Sequence, residues 1–275
     1  MINKVENKNG YVGTAAQLKF PNVSTGLDIN GIIKKPLVKN YRQAFLEASN
    51  SRKLSSNRLL GLLNVNDFVR LRPHLEPVTL SLGESLYQPQ DHIRHIYFPE
   101  TAVISDLQML EDGRTVEIAM TGKEGVVGLS SVFNSQTAAN WTEVVVPGTA
   151  LKLNAQLLKQ EFGLNNSLQN SLFSYVNSYI EQISQKVICN NYHQLKERFC
   201  SWLLMLQNRN GGNRFFLTHE QIARFLGVHR PGISHITLNL RDKGIIDYRR
   251  GQITILKPRE LENLTCSCFY SIEGK

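Results

Sequence analysis

Leu217-Thr218-His219-Glu220-Gln221-Ile222-Ala223-Arg224-Phe225-Leu226-Gly227-Val228-His229-Arg230-Pro231-Gly232-Ile233-Ser234-His235-Ile236 reads as a helix, a tight turn and a second helix. Thr218 followed three residues later by Gln221 is a capping box, whose side chains satisfy backbone donors left open in a first helical turn. Ala223 is small where two helices cross closely. Gly227 can take the left-handed conformation that ends one helix and turns the chain toward the next. Pro231 has a fixed φ and a missing donor, both harmless near the start of the second helix. Ile222, Leu226, Val228, Ile233 and Ile236 supply the apolar faces.

Downstream, Leu240-Arg241-Asp242-Lys243-Gly244 closes the second helix. Ile245-Ile246-Asp247-Tyr248 and Gln252-Ile253-Thr254-Ile255 then flank Arg249-Arg250-Gly251. Two alternating strands about a basic turn ending in glycine predict a hairpin wing, and Arg249 and Arg250 are candidates for phosphate contact. Upstream, Leu195–Leu206 is apolar on several sides through Phe199, Trp202, Leu203 and Leu206, and should be core of a C-terminal domain.

From about Asn165 the apolar period lies between three and four. Leu172, Val176, Tyr179, Ile183 and Val187 recur at spacings of four, three, four and four, one stripe of a long helix whose other face carries Asn177, Ser178, Gln182 and Gln185. Such a seam packs either on the chain's own β-domain or on a second copy. The pairing with a second copy is favoured, because a short β-domain offers little surface to so long a helix.

Before this helix the pattern is that of strands. Val78–Leu82, Leu86-Tyr87, His95–Phe98, Ala102–Met109, Thr115–Met120 and Thr142–Val146 alternate, with turns at Gly83-Glu84, Asp112-Gly113, Gly122 and Pro147-Gly148. Several short strands at this spacing predict a small barrel or sandwich. A short helix should start at Ser56–Leu60, with a second over Asn66–Arg72 closed by Pro73. Residues 1–57 lack any sustained period and read as a flexible basic extension. The domain plan is therefore 1–57 extension, 58–163 β-roll, 164–190 dimerisation helix and 191–275 winged helix-turn-helix, an α+β chain.

Charge follows the same division. Residues 1–60 hold ten Lys/Arg against three Asp/Glu, residues 61–190 eight against thirteen, and residues 191–275 thirteen against seven, within a formal net charge of +8. Basic ends about an acidic middle suit phosphate binding. Composition is 41% hydrophobic and 20% charged, with no apolar run near the ~18 residues of a membrane span. No secretion signal is read at the N-terminus, and four cysteines do not make a disulfide framework, so a reducing cytoplasm is expected.

The helical pair and wing resemble the winged helix of the Crp/Fnr superfamily of bacterial regulators. The similarity extends through His95-Ile96-Tyr97-Phe98-Pro99, Asp112–Glu117, Gly122–Gly128 and Cys189-Asn190-Asn191-Tyr192-His193 to Cys266-Ser267-Cys268-Phe269-Tyr270, covering about residues 58–272. The resemblance implies a cyclic-nucleotide-binding-type β-roll, a dimer helix, binding of a two-fold symmetric double-stranded DNA site as a homodimer, and RNA polymerase as a further partner. It places Arg230, Pro231, Ser234 and His235 where the family reads bases, and Thr218 and His219 where it holds phosphate. Arg230 can offer a bidentate fork to guanine, and Ser234 or His235 single hydrogen bonds. Pro231 and His235 depart from the Glu and second Arg of well-known members, which implies a different target sequence.

Cyclic-nucleotide-binding members carry Gly-Glu and Arg-Ser or Arg-Thr pairs in their phosphate cassette. The corresponding stretch, Gly128–Asn140, has no charge at all, so cyclic nucleotide is not an expected ligand. A pocket filled by its own side chains is favoured over one that accepts a different ligand. Gly122-Lys123 lacks the Ser or Thr and the earlier Gly of a phosphate loop. No nucleophile, base and orienting acid stand together, so no enzyme is expected. Cys189 and His193 lie four apart on one helical face, and Cys266-x-Cys268 could add two thiolates, but neither spacing is that of a zinc ribbon. No metal or cofactor is therefore expected. The alternative is a metal- or thiol-responsive regulator switched by Cys189, Cys266 and Cys268. It requires those thiols to approach one another in space.

Overall fold

The computed structural model describes residues 55–133, 135–164 and 167–273. Most of the expected N-terminal extension lies outside them. Two short helices lead the chain in, α1 (Arg58–Gly61) and α2 (Val65–Leu71), followed by a 3-10 turn at Arg72–His74 where Pro73 ends helical bonding. Asn57 caps α1, its carboxamide oxygen accepting from Leu60 N at 3.1 Å. Its amide nitrogen donates to Pro99 O at 2.8 Å and to Gly125 O at 2.9 Å, which ties this entry segment to the β-domain.

The β-domain is a pair of antiparallel sheets. One has the order β1 (Glu76–Leu80), β7 (Gly148–Asn154), β3 (His95–Pro99). The other has the order β2 (Ser85–Tyr87), β6 (Trp141–Val146), β4 (Val103–Met109), β5 (Thr115–Thr121). The β4–β5 hairpin closes at Asp112-Gly113, with Gly113 at φ +82°, as the dipeptide predicts. The pattern of strands missed β7, which pairs with both β1 and β3 and holds the first sheet together. Ile96, Phe98 and Leu153 of the first sheet form a buried cluster with the helices around it through Leu60, Leu158 and Leu172, and Ile104, Val127, Val144 and Ala150 form another between the two sheets.

After α3 (Ala155–Phe162) comes the long helix α4 (Ser167–Tyr192), 26 residues and, at ~1.5 Å per residue, about 39 Å long. A break at His193-Gln194 separates it from α5 (Leu195–Asn210). There Gln194 and Glu197 form a capping box. The C-terminal domain continues with β8 (Arg214–Phe216), α6 (His219–Leu226), α7 (Arg230–Asp242), β9 (Ile246–Arg249), β10 (Gln252–Ile255), α8 (Pro258–Glu262) and α9 (Cys268–Glu273). Its core packs Phe199, Trp202, Leu203, Phe215, Ile222, Phe225, Ile233 and Ile253. The observed architecture is α+β: a β-roll, a long central helix and a C-terminal winged helix-turn-helix. No helix among the described residues is long and apolar enough to cross a membrane.

The two domains share a buried boundary. Val103, Leu107, Met120 and Val145 of the β-domain join the same cluster as Trp202 and Phe225. Glu117 of β5, 1% exposed, accepts from Ser105 Oγ at 2.6 Å and Trp202 Nε1 at 3.1 Å and pairs with Lys186 of α4. Arg209 of α5 is buried between Glu124 (3.0 Å) and Glu273 (2.6 Å), and Arg224 of α6 pairs with Glu143 of β6.

Candidate DNA-binding surface and sensor cavity

The helix pair is built as its punctuation requires. Thr218 Oγ1 accepts from Gln221 N at 3.2 Å, and Gln221 Oε1 accepts from Thr218 N at 2.9 Å. Gly227 sits at φ +64°, ψ +42°, and Val228 N reaches back to Ala223 O at 3.0 Å. Pro231 falls in the first turn of α7. The inward face of α7 is Ile233, Ile236, Thr237 and Leu240, all buried. Its outward face presents Arg230, Pro231, His235, Leu238 and Asn239 to solvent.

The wing turns in two residues. Arg249 pairs with Gln252 across the hairpin, leaving Arg250 (φ +51°) and Gly251 (φ +78°) as the loop. Two positive φ angles are the signature of the turn whose twist suits a hairpin. Arg250 is exposed, and the Arg249 side chain is 83% exposed with Asp247 at 3.2 Å. Leu217 N donates to Gly251 O at 2.7 Å, fastening the wing to the start of α6.

His219 is more embedded than a free phosphate donor. Its Nδ1 lies 2.9 Å from Ser234 Oγ, and its ring stacks on Tyr248 with centroids 4.3 Å apart. It thereby joins α6, α7 and β9. Its Nε2 is buried without a hydrogen-bond partner among the described residues. Burial, and then the nearby Arg230 charge, hold its pKa below the ordinary value of 6.5. Ser234 is correspondingly engaged inside the fold, which leaves Arg230 and His235 as the open polar side chains among the four residues expected to face bases.

The expected seam of α4 needs a correction. Leu172 is fully buried in the β-domain's own core, and Tyr179 turns inward to donate to Asp106 Oδ2 at 2.6 Å. The stripe left uncovered is Phe173, Ile180 and Val187, each more than half exposed, flanked by the partly buried Val176 and Ile183. Their spacing of three, four, three and four is that of a coiled-coil seam.

The cassette does not collapse. A cavity of about 250 Å³ remains between it and α4, walled by Tyr87, Ile93, Phe133, Ala138, Tyr179 and Asp106, with no lysine or arginine among the described residues that line it. The favoured expectation of a filled pocket therefore fails. Asp106 accepts from Thr142 Oγ1 at 2.7 Å as well as from Tyr179, while burial raises its pKa.

The four residues of the possible metal constellation do come together. Cys189 Sγ lies 3.6 Å from Cys266 Sγ, and Cys268 Sγ lies 3.6 Å from His193 Nδ1. Cys200 is buried elsewhere, where desolvation pushes its thiol up to about 12.

Sequence reasoning missed the charged residues of the domain boundary, Glu117, Glu143, Arg209 and Arg224. The available signal was a charge in a strand register that also carries Ala119 and Thr121, but the charged partners lie 64 or more residues away and no local pattern names them.

Residues 197–264 match the family model of the Crp-like helix-turn-helix domain. That segment is a Crp-like helix-turn-helix domain, and the chain as a whole is similar to regulators of the Crp/Fnr superfamily. Among its relatives is the anaerobic regulatory protein of Bacillus subtilis, 22% identical over 181 residues, which span 63% of this chain and 76% of that protein. The global nitrogen regulator of Nostoc sp. is 21% identical over 189 residues, 66% and 85% of the two chains. Among solved structures, FixK2 from Bradyrhizobium japonicum superposes with a TM-score of 0.60 at 17% identity, covering 70% of this chain and 98% of that one. A CRP/FNR-family transcriptional regulator of Thermus thermophilus gives 0.55 at 18%, covering 69% and 97%. These likenesses establish the Crp/Fnr fold. The relatives are transcription regulators, not enzymes, and the family-level function is DNA-binding regulation.

Proposed function

We propose that this chain is a sequence-specific regulator of transcription that binds a two-fold symmetric DNA site as a homodimer in the cytoplasm and meets RNA polymerase at its promoters. The observation that carries this reading is the open outer face of α7, with Arg230 and His235 beside a wing bearing Arg249 and Arg250. Arg230 and His235 read base edges, with Pro231 and Ser234 shaping that end of the helix. Thr218 and the wing arginines take phosphate, while His219 braces α6 against α7 and β9 rather than reaching the DNA backbone itself. The second copy docks along Phe173, Val176, Ile180, Ile183 and Val187, because an exposed seam of this spacing is completed by an identical helix related by two-fold symmetry. Two recognition helices then enter major grooves about 34 Å apart.

The cavity against α4 receives an effector other than a cyclic nucleotide. A cyclic phosphate finds no cation among the described residues of its walls, whereas the Tyr179–Asp106 pair offers a hydroxyl and a carboxylate. Selection of bound sequences from random DNA by the purified chain tests the proposal. A palindromic consensus with two half-sites is expected, and recovery of no consensus overturns it.

A further inference from the structure

We propose that Cys189, His193, Cys266 and Cys268 form a mononuclear metal site that takes a borderline-soft divalent cation of the zinc type and bolts the end of α4 to the C-terminal segment. This inference does not rest on how the chain reads DNA.

The four donor atoms all lie within 4.8 Å of one another. A tetrahedral ion with bonds of about 2.3 Å to sulfur and 2.0 Å to nitrogen sets its sulfurs about 3.8 Å apart and a sulfur and nitrogen about 3.5 Å apart. The Cys189–Cys266 and Cys268–His193 separations are both 3.6 Å, close to those edges. A multi-iron cluster distributes its ligands over several irons and needs a wider spread of sulfurs. Three thiolates and an imidazole select zinc over magnesium or calcium, which prefer oxygen.

The surroundings fit the charge. The three sulfurs are buried, and they line a small cavity of about 20 Å³ together with Arg198. On binding, the three thiols release their protons to solvent, and a divalent ion with three thiolates carries one net negative charge. Arg198 sits beside that charge with its Nε buried and without a hydrogen-bond partner among the described residues. Ser201 Oγ, 3.6 Å from Cys266 Sγ, supplies a further donor toward the thiolate.

The ligands come from both sides of a joint. Cys189 lies in the last turn of α4 and His193 one residue past its end, while Cys266 and Cys268 stand at the start of α9, beyond the wing. An ion there fixes the angle between the exposed seam of α4 and the domain that carries α7.

The test uses the full chain, purified under reducing conditions and reconstituted with Zn(II) or Co(II). Stoichiometric zinc by mass spectrometry is expected. The Co(II) form should show the intense visible bands of tetrahedral coordination and thiolate-to-cobalt charge transfer. Cys266→Ser with Cys268→Ser should abolish those bands, His193→Ala should weaken and shift them, and Cys200→Ser should leave them unchanged. Four results on the unsubstituted chain would each overturn the site, with no variant needed: no retained metal, the weak spectrum of six-coordinate Co(II), two titratable thiols in place of four through a Cys189–Cys266 disulfide, or acid-labile sulfide from a cluster.

Discussion

Glu117 on β5 and Trp202 on α5 are 85 residues apart in sequence, and the indole N–H of one donates to the buried carboxylate of the other at 3.1 Å. The bond crosses the boundary between the β-roll and the DNA-binding domain. Ser105 and Lys186 hold the same carboxylate from β4 and α4, so one side chain gathers four elements. Trp202→Phe keeps an aromatic ring against Phe225 but removes the donor together with part of the buried ring, so a cavity cost adds to the lost hydrogen bond. A hydrogen bond to a charged group is worth about 1.5–3 kcal/mol, so a loss of at least that size in urea or thermal unfolding is expected. Unchanged stability would show that the contact contributes nothing to holding the domains together.

Arg230→Ala should cost about 1–3 kcal/mol of operator affinity and relax the preference at one base pair per half-site. Replacing Arg249 and Arg250 should weaken all sequences alike and reduce the salt dependence, because phosphate contacts carry no sequence information. Binding titrations on operator and random duplexes separate the two. Equal losses on both duplexes for Arg230→Ala would refute its assignment to a base.

Ile180→Asp places an uncompensated charge in the proposed seam and should yield monomers that no longer protect a palindromic site. Tyr179→Phe, on the inward face, should leave the dimer intact. Sedimentation checks both, and a dimeric Ile180→Asp chain sinks the seam.

His219 is held neutral, with a pKa below its ordinary 6.5, in the folded state. Below 6.5 the unfolded chain binds a proton that the folded chain resists, so the contribution of His219 is fully present above that pH and is lost as pH falls toward the depressed folded value. Urea midpoints should therefore decline between pH 7.5 and 5.5, and His219→Gln should flatten part of the decline. Identical pH dependence in both proteins would contradict this account.

Neither cyclic AMP nor cyclic GMP should change operator affinity. A ligand shifts an equilibrium only by its differential affinity for two states, and the described residues of the cavity offer a cyclic phosphate no cation. Calorimetric titration decides the matter, since stoichiometric micromolar binding would show that the anion is accommodated some other way.

What could be read from the sequence was what is local. The capping box at Thr218, the left-handed Gly227 and the Arg250-Gly251 turn each act within a few residues, and the winged helix-turn-helix followed from them. The face of α4 was read less well, because that helix has two apolar jobs at once. Leu172 serves the β-roll core while Phe173 beside it is exposed, and periodicity sums both into one stripe. Strand β7 was passed over after its opening Pro147-Gly148 turn, although Ala150 and Leu153 are buried. Glu117 and Arg209 were invisible because only the tertiary fold supplies their partners.

Along α4, Tyr179 walls the cavity and its immediate neighbour Ile180 faces outward on the seam. A rigid helix cannot turn one without turning the other. If the proposed effector and the proposed second copy each favour a different rotation of α4, their binding is linked, and thermodynamic reciprocity makes each alter the other by the same factor. Under that linkage, the apparent affinity for the proposed effector would depend on how much of the protein the cell contains.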